Sequence, residues 1–179
     1  MGKIVIVGAG PAGCSAALYA ARAGQEVVVI SMGMGALSKA ELIQNYYGFE
    51  EGITGAELYR QGVAGAKAVG AEFITAEVVG LDYTGSLVVQ TTEGDYPADA
   101  VILATGAGRI APKIAGLAEH EGRGVSYCAT CDAFFYRGKT AAVLGSGEYA
   151  LHEVQALLPL AGRVILCTNA VSYTHLRAH

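Results

Sequence analysis

The chain has 179 residues, 25 of them glycine, with 53% hydrophobic and 16% charged side chains. A sequence this apolar offsets the entropy cost of folding and is not disordered. A formal net charge of −4 with no basic block argues against nucleic-acid backbone binding as the main task. No apolar run approaches the roughly 18 residues of a bilayer span. The start, MGKIVIVGAG, is too short for a signal-peptide core and carries Ile6 where a myristoylation pattern needs Ser or Thr. These features predict a cytoplasmic protein without a membrane partner, of one domain or one domain plus part of another.

The run Lys3–Val7 is continuously apolar, as in a parallel strand buried on both faces. Gly8-Ala-Gly10-Pro11-Ala12-Gly13 follows, then a helix of small residues that Gly24 ends, then a second strand over 25–30. This is a βαβ unit of about 30 residues. Residues 31–55 have few periodic cues and read as an ordered loop, and 56–69 as a helix. Strand-like runs at 73–79, 87–91 and 100–103, broken at 83–85 and 93–95, predict a small antiparallel excursion that returns to the sheet. The third closes on Ala104-Thr105-Gly106-Ala107, and 107–124 reads as a linker. A second βαβ unit then starts: strand 139–144, the turn Gly145-Ser-Gly147-Glu-Tyr-Ala150, helix 151–158 and strand 163–167.

Two copies of strand–GxGxx(G/A)–helix–strand are an internal repeat of a nucleotide-binding unit, and the expected class is an α/β, Rossmann-like FAD/NAD(P)-binding fold. A single βαβ is too little to bury a second core, so the second unit reads as truncated. The expected division is 1–110, 111–170 and a non-native tail 171–179, VSYTHLRAH, which reads as translated adapter sequence; a genuine short tail is the alternative.

The first glycine motif has a physical logic. Gly8 permits the tight turn, Gly10 lets the backbone approach a pyrophosphate, and Gly13 lets helix and strand pack closely; the phosphate would sit on the helix N-terminal amides. The acid that normally binds the ribose at the end of the second strand is absent, since Ile30-Ser31-Met32 stands there. Of four cysteines, Cys14, Cys128, Cys131 and Cys167, only the Cys128-Ala-Thr-Cys131-Asp132 pair is close in sequence. Two cysteines at i and i+3 can share one helical turn and close a small disulfide ring, and a helix N-terminus would lower the first thiol's pKa. A redox-active dithiol, an inert buried pair and a zinc site are the readings open here. Zinc needs two further ligands, and Cys14, Cys167, His120 and His152 stand alone.

In this order Gly8–Gly13, Ala104–Ala107 and the segment GRGVSYCATCDAFFYR at 122–137 resemble the low-molecular-weight thioredoxin reductases. The resemblance covers residues 2–170, the N-terminal half or so of that family's chain. It implies an FAD domain interrupted by a nicotinamide-nucleotide domain that carries the dithiol, thioredoxin or a similar disulfide protein as partner, and a homodimer at full length. Carried over, Gly8, Gly10, Pro11, Ala12 and Gly13 would hold the FAD pyrophosphate. Gly35, Ala36 and Asn45 would match the loop beside the flavin, and Thr105 and Gly106 the strand-end turn at the cofactor. Cys131 would lie nearer the flavin, Cys128 would attack the partner's disulfide, and Asp132 would be the acid/base. The bland alternative for Asp132 is a helix N-terminal charge. Gly145, Gly147 and Ala150 would keep the second nucleotide turn.

Two departures from that family shape the expectations. NADPH-using members follow the second unit's strand with His-Arg-Arg, whereas this chain has Cys167-Thr168-Asn169-Ala170. NADPH, NADH and a ferredoxin donor therefore stay open, and His175 and Arg177 belong to the suspect tail. The family's C-terminal return to the FAD domain is also missing, so the chain is expected to be a fragment of an enzyme.

Overall fold

The computed structural model describes residues 2–108 and 111–168. The chain forms two compact units, Met1–Arg109 and Ile110–His179. Asn169, Ala170 and the tail 171–179, with His175 and Arg177, lie outside the described residues.

The first unit opens with β1 (Lys3–Val7), α1 (Pro11–Arg22) and β2 (Glu26–Ser31), followed by a 3-10 turn at Gly35–Lys39 and α2 (Gly55–Ala68). Five strands complete it: β3 (Glu72–Thr75), β4 (Val78–Tyr83), β5 (Leu87–Thr91), β6 (Gly94–Ala98) and β7 (Ala100–Leu103). A parallel sheet has the order β3-β2-β1-β7, and an antiparallel sheet the order β4-β5-β6. In β1 and β2 alternate side chains go to opposite faces. Val5, Val7, Val28 and Ile30 pack with Ala76, Val89 and Ala98 of the antiparallel side. Ile6, Val27 and Val29 pack with Ala9 and Ala17 of the α1 region and with Ala66 and Ala71. Both faces are therefore covered, which is why the strand is apolar without alternation. Fully burying one such Val or Ile contributes about 1.5–3 kcal/mol.

Local chemistry explains the ends of the helices. Pro11 occupies the first position of α1, where a missing N–H costs nothing, and Gly24 at φ +78 releases the chain into β2. Thr54 caps α2 through its Oγ1, which accepts the Glu57 N–H at 3.2 Å.

The structure departs from the sequence reading in two places here. The run 73–79 is not one strand: β3 joins the parallel sheet beside β2, and β4 begins the antiparallel sheet after buried Ala76. Residues 94–98, whose first two were read as part of the break at 93–95, form β6. Its Pro97 lies on an edge strand, where the lost N–H need not break the ladder. The loop 31–55 contains the 3-10 turn and an Ile43–Ile53 bridge.

The second unit contains a 3-10 turn at Ala118–His120 inside the stretch read as a linker, then α3 (Ala129–Asp132) running into a 3-10 turn at Ala133–Tyr136. β8 (Thr140–Leu144), α4 (Glu148–Leu157) and β9 (Arg163–Cys167) follow, with β8 and β9 pairing in parallel from Thr140–Arg163 to Leu144–Cys167. Its core is Ala129, Ala133, Ala141 and Leu157. The helix α4 starts three residues earlier than the periodicity suggests, because Glu148 and Tyr149 already belong to its first turn. Among the described residues β9 pairs only with β8. No helix among them is long and apolar enough to cross a membrane.

Candidate functional site

The first glycine turn lies where three parallel strands end together. Gly8 N donates to Ile30 O at 2.8 Å, and Ala104 N donates to Val7 O at 2.8 Å. Gly8 has φ +109, and a Cβ built on it would lie 2.2 Å from Ala104 O. A Cβ on Gly13 would lie 1.8 Å from Gly8 O. Both glycines are therefore demanded by the protein's own packing. Gly10 is different: at φ −70 its backbone suits any residue, and a Cβ there meets nothing within 4 Å. Its missing side chain leaves open space beside the start of α1. The first helical bond inside α1 is Cys14 N to Gly10 O at 2.9 Å, so the amides of Ala12 and Gly13 precede it. An open glycine and free first-turn amides fit a pyrophosphate.

Of the other expected residues, Thr105 is brought beside this turn, and Gly35, Ala36 and Asn45 adjoin in sequence residues that line a cavity there. Thr105 and Gly106 (φ +70) follow β7, and Thr105 N lies 3.3 Å from the Cβ position of Gly8. A cavity of about 150 Å³ is lined by Gly10, Pro11, Cys14, Leu37, Tyr46 and Tyr59, among others. Gly35 and Ala36 open the 3-10 turn that carries Leu37, and exposed Asn45 precedes Tyr46. Gly55 fastens that segment: a Cβ on it would lie 2.0 Å from Leu37 O, and its N–H donates to Ala40 O at 2.8 Å. Leu37, Tyr46 and Tyr59 were not singled out from sequence, because nothing local places them over Gly10. Cys14 is buried, its thiol donates to Ala9 O at 3.2 Å, and burial pushes its pKa up, so it stays protonated.

In the second unit Cys128 and Cys131 form a disulfide. Cys128 is the N-cap of α3, and its Sγ accepts the Cys131 N–H at 3.3 Å. Cys128 is half-buried and Cys131 exposed, so the pair is not sealed in the core. Asp132 is half-buried and accepts a hydrogen bond from Ser126 Oγ, which in turn accepts the Cys128 N–H at 3.1 Å. Burial, and then the Asp132 charge, push the Tyr136 phenol up, and its OH donates to Gly124 O at 3.1 Å. Glu153 Oε2 accepts the Ala129 N–H at 2.5 Å from α4. Ser126 and Glu153 are contacts the sequence reading did not find.

The second glycine turn is a variant of the first. Here Gly147, at φ +100 and with open space around it, takes the left-handed conformation. Gly145 N donates to Cys167 O at 3.0 Å, and a Cβ on Gly145 would lie 3.1 Å from the Cβ of buried Ala150. Ala150 thus fits where the first turn requires Gly13. Thr168 follows β9.

The fold is that of a Rossmann-like dinucleotide-binding protein. The family model for pyridine nucleotide-disulphide oxidoreductases matches residues 2–171, and the chain belongs to that family. Membership implies FAD and NAD(P)H as cofactors. The chain is 44% identical over 169 residues to the bifunctional thioredoxin reductase/thioredoxin of Mycobacterium leprae, covering 92% of this chain and 37% of that protein. To the thioredoxin reductase of Bacillus subtilis it is 39% identical over 166 residues, covering 91% of this chain and 52% of that one. The crystal structure of the Streptococcus pyogenes thioredoxin reductase aligns with a TM-score of 0.82 at 36% identity, covering 91% of this chain and 54% of that one. The chain spans about half the length, or less, of the curated relatives it matches.

Proposed function

We propose that the protein to which this chain belongs is a flavin-dependent thioredoxin-disulfide reductase. The observation that carries the reading is the Cys128–Cys131 disulfide at the start of α3, on a unit of nucleotide-binding type. Both sulfurs are used in that bond, which favours a redox pair over a zinc site. Their partial exposure favours it over an inert buried pair. FAD, when bound, supplies an electron pair. Gly8, Gly10, Pro11, Ala12 and Gly13 would receive its pyrophosphate, with Gly35, Ala36, Asn45, Thr105 and Gly106 around it.

The thiol chemistry balances as follows. Two electrons and two protons convert the disulfide into two thiols. The Cys128 thiolate attacks the partner's disulfide and forms a mixed disulfide, releasing one partner thiol. The Cys131 thiolate then attacks Cys128 Sγ, releases the second partner thiol and restores the original bond. Asp132 would hold and return the proton, and the Ser126 hydroxyl orients its carboxylate. Thioredoxin or a similar disulfide protein is the partner on this reading, and the whole protein is a homodimer. The rival reading is a flavin- or nucleotide-binding domain with a structural CxxC. Thiol titration after mild reduction separates the two: two rapidly reacting thiols that reoxidise together are expected, and a pair that resists reduction in the folded protein defeats the proposal.

The donor is a separate matter. A 2′-phosphate carries close to two negative charges and is normally recognised by Arg in bidentate geometry. Thr168 and Asn169 can offer only neutral hydrogen bonds where that Arg would stand, with Gly145, Gly147 and Ala150 forming the turn. Losing one charged partner costs on the order of 2–3 kcal/mol, enough to erase most discrimination. The whole protein is therefore expected to show no strong preference for NADPH over NADH, and a ferredoxin donor remains a second reading. Stopped-flow flavin reduction against NADPH, NADH and reduced ferredoxin decides it; fast reduction by NADPH alone overturns the expectation.

A further inference from the structure

The first turn of α3 carries a charge that the chemistry above does not use. Glu153 reaches from α4 to accept the Ala129 N–H with Oε2, although 24 residues separate the two in sequence. Its side chain is only 13% exposed, and its other oxygen lies 3.7 Å from His152 Nδ1. The amide it occupies belongs to the residue immediately after Cys128. In a bare helix start such amides carry partial positive charge and favour a thiolate at the N-cap. Here one of them is spent on a carboxylate, and a fixed negative charge stands beside the sulfur that must ionise.

We propose that Glu153 is a positioning residue for the dithiol: it anchors the turn that follows Cys128 and holds the Cys128 thiolate less stable than the helix start alone would make it. The structural side of the role is the bond to Ala129, and the electrostatic side is the charge. The opposing influence is the Cys131 N–H, which donates to Cys128 Sγ at 3.3 Å. Other titratable or charged groups on the elements packed against α3 are Asp132 on α3 itself, Tyr136 on the following turn, and Glu148, Tyr149 and His152 on α4. Tyr127 and Arg137 flank the motif; Tyr149 OH donates to Tyr127 O at 3.4 Å, and Arg137 lies over the Phe134 ring. Glu153 bonds the first-turn amide next to Cys128, whereas Asp132 is engaged by Ser126. A less stabilised thiolate makes the disulfide harder to reduce and the dithiol a stronger reductant, which suits a pair that passes electrons onward.

The inference rests on reading Cys128 and Cys131 as a redox dithiol, and the experiment separates the two. The pre-reduced whole protein is alkylated with iodoacetamide across a pH series, and Cys128 labelling is followed by mass spectrometry. Its reduction potential is measured by equilibration with glutathione. Glu153→Gln keeps an oxygen for the Ala129 N–H and removes the charge. It is expected to move the labelling midpoint to lower pH, raising the thiolate fraction at pH 7 roughly threefold to tenfold, and to make the pair more oxidising. Glu153→Ala removes both charge and acceptor and is expected to shift in the same direction. Circular dichroism and thermal melting establish that each variant is folded. An unchanged or higher midpoint in either folded variant overturns the role of Glu153. Failure of both variants to fold likewise overturns it, since Glu153 would then serve folding and not the dithiol. Failure of two thiols to appear on mild reduction instead defeats the redox reading itself.

Discussion

Cys128→Ser and Cys131→Ser in the whole protein are each expected to abolish reduction of a partner disulfide while the flavin stays bound. The two sulfurs are the only exit for electrons on the proposed route, and neither serine can form the intramolecular bond that completes a cycle. The loss in turnover should reach roughly a thousandfold or more, the scale at which removal of a nucleophile is felt. Stability is affected far less. The ring spans a sequence separation of 3, so opening it costs about 2 kcal/mol by chain entropy. The flavin would be held by amides of the other unit, around Gly10, and has no reason to leave. Turnover and flavin content measured on the same preparation check this. Retained turnover in either variant would sink the redox assignment, and lost flavin would show that the dithiol is structural.

The second large effect separates glycines that the protein itself requires from one that a ligand requires. Gly13→Ala would press a methyl group onto Gly8 O, 1.8 Å from the ideal Cβ position. Gly8→Ala would meet Ala104 O at 2.2 Å and would hold alanine at φ +109. No flexible side-chain end is available to yield, since both obstacles are backbone. Each substitution is expected to destabilise the protein by more than about 4 kcal/mol, because each presses a methyl group onto backbone that must shift, with strain at positive φ added in Gly8→Ala. Gly10→Ala is expected to change stability by no more than about 1 kcal/mol, because its backbone is ordinary and the space beyond it is open. It should nonetheless weaken flavin binding by roughly tenfold or more, equivalent to about 1.4 kcal/mol. Urea unfolding and flavin titration of the three variants give the comparison. A Gly10→Ala protein that binds flavin like the wild type would refute the placement of the pyrophosphate. Wild-type stability in Gly13→Ala would refute the turn geometry.

Much of this was legible in the residues. The unbroken apolar run of β1, followed at once by Gly8, Gly10 and Gly13, announces a buried parallel strand that turns into a helix, because each of those signals is local. The same holds for α2, β5, β7 and the second strand–turn–helix around Gly145. The Cys128–Cys131 spacing carried its own geometry, since three residues span less than one turn. The strand β6 was hidden by Gly94 and Pro97, which read as breakers until pairing with β5 places Pro97 on an edge. The split of 73–79 between two sheets was equally invisible, because it depends on which partner each half finds.

The sequence by itself determined the Rossmann-like class, the glycine turn and the presence of a cysteine pair, because periodicity, φ requirement and short spacing are properties of neighbouring residues. Tertiary structure alone decided what surrounds them. It set Leu37 and Tyr46 beside Gly10, left Cys14 a protonated core thiol, made Gly13 obligatory where Ala150 suffices in the second turn, and brought Glu153 to the amide next to Cys128. These contacts join residues far apart in the chain, so no local pattern encodes them. They exist because burying the apolar faces of β1 and β2, and of α3 against α4, fixes distant backbone segments within hydrogen-bonding reach.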